Sequence, residues 1–556
     1  MILGVDIGGT HTDAICIKTG AIINSAKVTT DKENIVDSIV GAINKLDIDL
    51  SKIDRVVLST TLSTNAIIEK KYGLTGMIVS AGPGIDPRNY FLTGNFHLAD
   101  GAIDHRGREY VPINRDQITA VAGKLKDKGI AGVGIVSKFS VRNPLHEKSI
   151  YNLISDDFSY ISLGHQMSGN LNFSRRINTT YFNTAVMPTQ DVFIKSVGDA
   201  LGKLGITPQI LFLKADGGTY MASAANRLPV ETIMSGPAAS IMGGAVLNKD
   251  KGTSLVLDIG GTTTDIGLLV DGSPVMEPLG VSIGGAKTLV RGLNVLSVGA
   301  GGDSRVYTKR DKLFVGPQRD GPPVAMGGKS PTPTDALAIL GVLDFGDAKK
   351  AGHALSPLAH AMGKDLKDLA RDILTTLAKG IKQASISFID ELNTHPVYTI
   401  YEMLHQELLK PDRVIIIGGP ARNLKPYMED VFDIPCIVPE YCEVANALGA
   451  ALARTTAQIT IMADTQMRRL LCPELGIEKE ISSHYSIDDI KALGVKILKD
   501  NAPYLGLTDA LDVDIVEAQS FNMVRGFSTA GKNMRLKIQS TPGIIPEWRQ
   551  INEGKI

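Results

Sequence analysis

The chain opens on an apolar run, Ile2–Ile7, that stops at a glycine pair, resumes over Asp13–Ile17 and returns over Ala21–Val28. Runs of strand length separated by turn residues predict three strands joined by tight turns. Helical spacing follows over Asn34–Leu46, then a strand "RVVLST", a helical "LSTNAIIEKK" and a strand "GMIVS". Strands joined by hairpins and then alternating with helices predict an α/β layer with a mixed sheet. Further pieces between Gly82 and Asp250 ("GVGIVSKFS", "PLHEKSIYNLI", "YISLGHQ", "PQILFLKADGG") read as an inserted α/β lobe and a return to the core. The opening pattern then restarts at Ser254 with "SLVLDIGG" and "TTTDIGLLVDG". A long amphipathic helix is predicted over residues 366–392, then a buried strand in "DRVIIIGGPARNL" and a small-residue helix in "VANALGAALART". The expected units are 1–81, 82–250, 251–455 and a C-terminal region 456–556 where the rhythm is lost.

The restart is nearly literal. "DIGGTHTD" (Asp6–Asp13) and "DIGGTTTD" (Asp258–Asp265) differ only at His11 against Thr263. One Asp-x-Gly-Gly is a comfortable hairpin turn. Two copies, each continuing Thr-x-Thr-Asp, point to a shared task. Glycines let backbone N–H groups approach an anion without a Cβ in the way. Thr hydroxyls can donate to phosphate oxygens, and an Asp carboxylate suits a magnesium ion. Two facing hairpins would grip a polyphosphate from both sides. Competing motifs fail: "AMGGKS" lacks the first glycine of a P-loop, and "GAGGDS" lacks the third glycine of a dinucleotide fingerprint.

Composition narrows the setting. A chain of 556 residues with 43% hydrophobic residues holds two to four domains. A net charge of −1 gives no global attraction to nucleic acid or anionic lipid, and no apolar run has membrane-spanning length. Four cysteines without CxxC spacing and a start directly in a strand lead to the expectation of a cytoplasmic protein without disulfides or a signal peptide.

The order "DIGGT", "DIGGTTTD", then "IIIGGPARN" followed by "ALGAAL" resembles the actin/sugar-kinase/Hsp70 ATPase superfamily. That resemblance implies an α/β fold of duplicated actin-like ATPase (ribonuclease H-like) domains, here with the inserted lobe and a small C-terminal region. "TTLSTNAIIEKK", "DGAIDHRG", "RRINTTYFNTAVMP", "ETIMSGPAAS", "LSVGAGGDS" and "PTPTDALAILG" narrow it to the hydantoinase/oxoprolinase family, hydantoinase A-type subunit. The family implies ATP- and Mg²⁺-dependent opening of a cyclic amide (a hydantoin or 5-oxoproline-like ring) through a phosphorylated carbonyl, with a hydantoinase B-type partner subunit. Related ATP-driven ketone carboxylases, chaperone-like reactivating ATPases and sugar kinases share the phosphate turns and stay open.

Carried onto this chain, the resemblance implies Asp6 and Asp258 for Mg²⁺ and for orienting the reacting group. Asp265 is a further catalytic carboxylate, with Asp13, Asp216 and Asp303 unranked beside it. Gly8, Gly9, Thr10, Gly260, Gly261, Thr262 and Thr263 would hold phosphates, and Gly299, Gly301 and Gly302 would approach the nucleotide. Gly418, Gly419, Pro420 and Asn423 would flank the adenosine. Thr60, Thr61 and Asn65, at a helix start, are candidates for an anionic substrate or for helix capping. Asp216 joins the substrate candidates, although "KADGG" stands where the family has "SNGG". His11 replaces a usual aromatic residue, Asp303 interrupts "GAGGGS", and the C-terminal region is shorter than in many A-type subunits. His97, Asp100, Asp104 and His105, with His165, form a candidate second, transition-metal site.

Overall fold

The structure is a computed structural model that describes residues 1–394, 408–509, 511–545 and 548. Two core sheets are built to one plan. In the first, the strand order is Ala21–Thr29, His11–Lys18, Ile2–Ile7, Arg55–Thr60, Ile210–Leu213, Thr219–Met221. The first three strands are mutually antiparallel, and Arg55–Thr60 and Ile210–Leu213 continue the sheet in parallel. In the second, Thr264–Val270 and Thr253–Ile259 repeat the antiparallel hairpin, and Arg413–Ile417 and Cys436–Ile437 repeat the parallel extension. The parallel strands are buried on both faces, which is why "VVL" and "VIII" read as unbroken apolar runs.

Two small-residue helices, Ser235–Leu247 and Ala445–Leu452, cross between these sheets. A Cβ on Gly449 would lie 2.3 Å from the Gly243 nitrogen, and one on Gly243 would lie 2.4 Å from the Ala445 carbonyl oxygen. Each helix then packs as closely on a sheet: Gly244 faces Val256, and Gly4 faces Ala447 and Ala451. The helices therefore touch backbone to backbone, and the sheets close in behind them.

The inserted lobe begins earlier than expected. Thr75–Ser80 pairs with Gly132–Ser137 in a parallel four-stranded sheet, not with the first core sheet. A 31-residue helix, Phe173–Lys203, carries the chain back: Phe173, Ile177 and Tyr181 join the lobe core, while Phe193, Val197 and Leu201 join the first sheet's core. Its first half is buried nearly all round, so no polar stripe betrayed it in the sequence. The segment 279–293, which leaves the second core hairpin, straps over the first half: Arg175 donates to Leu279 O and Thr288 O, and Leu293 N donates to Ala215 O.

The C-terminal region is a five-stranded antiparallel sheet, led by the long hairpin Val513–Arg525 and Ser528–Ser540, with the helix Ile487–Asp500 against it. It has its own core around Ile459, Ile461, Leu498 and Leu536. Its start is pinned to the first half by the Thr219–Thr455 bridge and by Arg55, which donates to Ala453 O and Asp509. All four cysteines are buried and unpaired. Among the described residues no helix is long and apolar enough to cross a membrane.

The crossing yields a signed prediction. Gly449→Ala forces a methyl against backbone and should destabilise by at least ~1–3 kcal/mol. Gly41→Ala, in a helix where a Cβ meets nothing within 4 Å, should be neutral or stabilising by up to ~1 kcal/mol. Urea unfolding of the two variants checks it, and equal effects would show that the crossing is not tightly packed.

Candidate functional site

The duplicated turns are superimposable in register. Asp6 lies directly across from Asp13, and Asp258 directly across from Asp265. Each turn closes identically, Gly8 N donating to His11 O and Gly260 N to Thr263 O, both at 2.9 Å. The first glycine is sterically required: a Cβ would lie 3.0 Å from His11 O in one turn and 3.2 Å from Thr263 O in the other.

Below the turns the carboxylates converge. Ser240 Oγ donates to Asp258 Oδ2 at 2.6 Å, and Asn446 Nδ2 donates to the same oxygen at 2.9 Å. Ser297 donates to Asp265, and Ser240 also reaches Asp265 at 3.4 Å. Burial, reinforced by the Asp258 charge, raises the Asp265 carboxyl to about 7. Asp6 is also raised to about 7, chiefly by burial and further by the charges of Asp13 and Asp258, with the nearby Ser59 hydroxyl and, less, Lys27 opposing. Burial raises Asp13 as well, although Lys27 Nζ lies 2.7 Å from it. Asp6 Oδ1 is buried without a hydrogen-bond partner among the described residues. A buried acceptor left bare costs free energy, so this oxygen is a natural ligand atom for a cation or its water. Lys27, Ser240, Asn446 and Ser297 escaped the sequence reading of the site. Ser240 and Asn446 lay in plain view in "SGPAAS" and "VANALGAAL", where the small-residue pattern drew the eye to packing instead.

The adenosine candidates join the second hairpin. Gly418 has φ +98°, and a Cβ on it would lie 2.3 Å from Ile259 O and 2.6 Å from Asp258 Oδ1. Gly419 is open, since a Cβ there would meet nothing within 4 Å, and Pro420 caps the helix Ala421–Val431, which carries Asn423. Gly299, Gly301 and Gly302, the glycines expected to approach the nucleotide, pack against the second turn and its neighbours. Gly301 N donates to Ser304 Oγ, Gly302 N to Gly260 O and Asp303 N to Gly261 O. A Cβ on Gly301 would lie 2.6 Å from Gly260 O, and one on Gly299 2.9 Å from the Pro317 ring. The loop thus braces the second turn, its Gly301 and Gly302 N–H groups already spent. Asp303 rides on this brace, bonded by Arg319 at 3.1 Å and set against Gly261.

The substrate candidates divide. Thr60 Oγ1 accepts from Leu62 N in the turn that enters the helix Leu62–Ile68, whose N-cap, Thr61, makes no side-chain capping bond. Thr61 instead reaches Ile7 O, and Asn65 donates to Thr61 beside the first hairpin. Asp216 is elsewhere: it accepts from Gly218 N and Thr456 Oγ1 and pairs with Lys214, partners that all lie away from the hairpins. The cation partners outweigh burial and hold its carboxyl below the usual range. The second metal site does not form. His97 sits on one edge strand of the lobe sheet and His165 follows the opposite edge strand, where Glu147 Oε2 binds its Nδ1 at 2.6 Å. Asp104 caps its own loop by accepting from Arg106 N and Arg108 N. Among the described residues no group of three or more His, Cys, Asp or Glu side chains is placed to hold a metal. Magnesium asks less of the protein, since it keeps waters and takes phosphate oxygens with one or two carboxylates. Asp6 with its bare oxygen, and Asp258 beside it, fit that demand.

Comparison with known proteins agrees with this geometry. The chain matches the hydantoinase/oxoprolinase family over residues 176–459 and the hydantoinase/oxoprolinase N-terminal region over 2–158. It is 26% identical to caprolactamase subunit alpha of Pseudomonas jessenii, across 69% of this chain and 62% of that one. It is 23% identical to 5-oxoprolinase 1 of Arabidopsis thaliana, across 81% of this chain but 41% of the relative. The nucleotide-free structure of acetone carboxylase has the same fold, with a TM-score of 0.71, 17% identity and coverage of 100% of this chain and 83% of that one. The chain therefore shares the fold of the acetone carboxylase chain and belongs to the hydantoinase/oxoprolinase family.

Proposed function

We propose that the chain is the ATP-using subunit of an enzyme that opens a small cyclic amide, working with a B-type partner subunit. The observation that carries this reading is the pair of aspartate hairpins in matched register, with Asp6 Oδ1 left bare at their base. The activities for which caprolactamase and 5-oxoprolinase are named support the substrate class, and "subunit alpha" supports the partner.

An amide carbon is a poor electrophile because its nitrogen feeds electrons into the carbonyl. Attack of the carbonyl oxygen on the terminal phosphorus of ATP forms an O–P bond and breaks the bond to the bridging oxygen, releasing ADP. The carbonyl oxygen has then become part of a leaving group. Water adds to the carbon, the nitrogen takes a proton and the C–N bond breaks to leave an acyl phosphate. A second water hydrolyses that acyl phosphate to a carboxylate and inorganic phosphate, giving an open-chain amino acid from a lactam. The turn N–H groups beyond Gly8 and Gly260, with the Thr10 and Thr262 hydroxyls, are the donors we assign to the phosphates. Donors fixed before the reaction stabilise charge on the moving phosphoryl group without reorganising. A magnesium ion bound through Asp6 and Asp258 would neutralise phosphate charge. Asp265, with its carboxyl near 7 and held by Ser297 and Ser240, suits proton transfer.

Two outcomes are expected. Asp258→Ala should cut Mg-ATP turnover by about 10²–10³-fold, with the melting temperature little changed; near wild-type turnover would refute the clamp. The assay is ADP release with hydantoins, 5-oxoproline and other lactams, with and without the partner subunit. Stimulation only by a ketone with bicarbonate would redirect the chemistry to carboxylation, and stimulation only by a protein would redirect it to reactivation. The second outcome concerns pH. Asp6 and Asp265 are raised to about 7, so both are partly protonated at neutrality and magnesium must displace a proton. Mg-ATP affinity should therefore rise with pH through about 7 and level off above it, and Asp6→Asn should flatten the slope. Calorimetric titrations between pH 6 and 8.5 decide this.

A further inference from the structure

A cavity of about 120 Å³ lies where the first core sheet's edge, the lobe, the strap and the C-terminal unit meet. None of its lining residues belongs to the aspartate hairpins. Its volume accommodates roughly eight water-sized groups, the size of a short amino acid. Its charges are unusual for so enclosed a space. Lys214, Arg227 and Arg291 line it together with Asp216, Glu231 and Glu474, three cations against three carboxylates.

Most of these groups are engaged. Lys214 Nζ lies 3.3 Å from both Asp216 and Glu231, and Arg227 stacks on the Tyr504 ring at 3.8 Å. Glu474 Oε1 accepts from Gly169 N and Thr460 N. Arg291 is the exception. Its Nη1 is buried with no hydrogen-bond partner among the described residues, and its nearest carboxylate oxygen, on Asp216, is 3.9 Å away. Glu231, a third exposed, meets Lys214 through Oε2 at 3.3 Å, and its other carboxylate oxygen is the one we assign to a second cation.

A ligand with net charge would leave one sign uncompensated in this balanced cavity, and an apolar ligand would strip six charged groups of water for nothing in return. A zwitterion meets both conditions. We propose that the cavity binds a small zwitterion, an amino acid whose carboxylate bonds Arg291 Nη1 and whose ammonium bonds Glu231. The open-chain product of hydrolysing a simple lactam is a compound of this class. The link to product rests on the function proposed above; the charge argument for the cavity does not. Asp216 then serves as a positioning residue that holds Lys214 and faces Arg291, rather than as a contact to the ring at the hairpins.

Equilibrium titration of the full chain with 6-aminohexanoate and 4-aminobutanoate tests it, with hexanoate and hexylamine as single-charge controls. At least one zwitterion should bind ten or more times more tightly than either control. Arg291→Met should weaken that binding at least tenfold, and Arg291→Lys should restore most of it, with melting temperatures confirming that both variants fold. Equal binding of zwitterion and controls, no binding of any probe, or indifference to Arg291→Met would overturn the assignment. The wild-type comparison stands even where a variant fails to fold. Zwitterion binding without lactam-stimulated ADP release would overturn the ring-opening reading alone. Ring opening without zwitterion binding would overturn the cavity alone.

Discussion

The gap between the two aspartate hairpins is set by the contact of two helix backbones. At Gly243 and Gly449 the helices approach until there is no room for a methyl group, and Gly4 and Gly244 let the sheets follow. Main-chain contact is stiff, because it has no rotamers with which to relax. Both hairpins extend from strands lying on these helices, so their separation is inherited from that one crossing. A tolerance of a few tenths of an ångström at the crossing becomes a tolerance of similar size where phosphates would be held.

The crossing also creates an electrostatic problem that the site then uses. It gathers Asp6, Asp13, Asp258 and Asp265, with the cation Lys27 paired to Asp13 at one side. Folding brings these carboxylates together at a cost, expressed as the raised proton affinities of Asp6 and Asp265. A divalent cation relieves the repulsion that protons otherwise relieve. The helices that fix the distance also supply Ser240 and Asn446, which aim Asp258. One pair of elements thus determines both spacing and orientation.

What was legible in the sequence was whatever repeats or alternates. The duplicated turn showed the hairpins and their opposed aspartates, and the apolar runs showed most core strands. The 366–392 helix is present as Leu366–Asn393, because a one-sided helix keeps its stripe. Phe173–Lys203 was hidden by being buried on two different cores. The C-terminal sheet was hidden too, since one of its two 13-residue strands, Val513–Arg525, is an exposed edge without inward alternation and the other alternates only over its second half. Motif resemblance singled out Gly301 and Gly302, but their contact with the second turn joins residues distant along the chain and leaves no trace in local spacing. Spacing along the chain drew His97 and His165 into one cluster, whereas the sheet places them on opposite edges.

The strap 279–293 ties the mechanics together. It belongs by chain to the second half, emerging from the hairpin that bears Asp258 and Asp265, yet its hydrogen bonds run to Arg175 and Ala215 on the first. Arg291 stands on it. If the halves pivot about the helix crossing, the strap is drawn like a tendon over a joint, and the guanidinium moves with it. The distance between the jaws and the position of Arg291 are then one mechanical coordinate, transmitted by the strap's main chain and the Arg175 side chain that holds it.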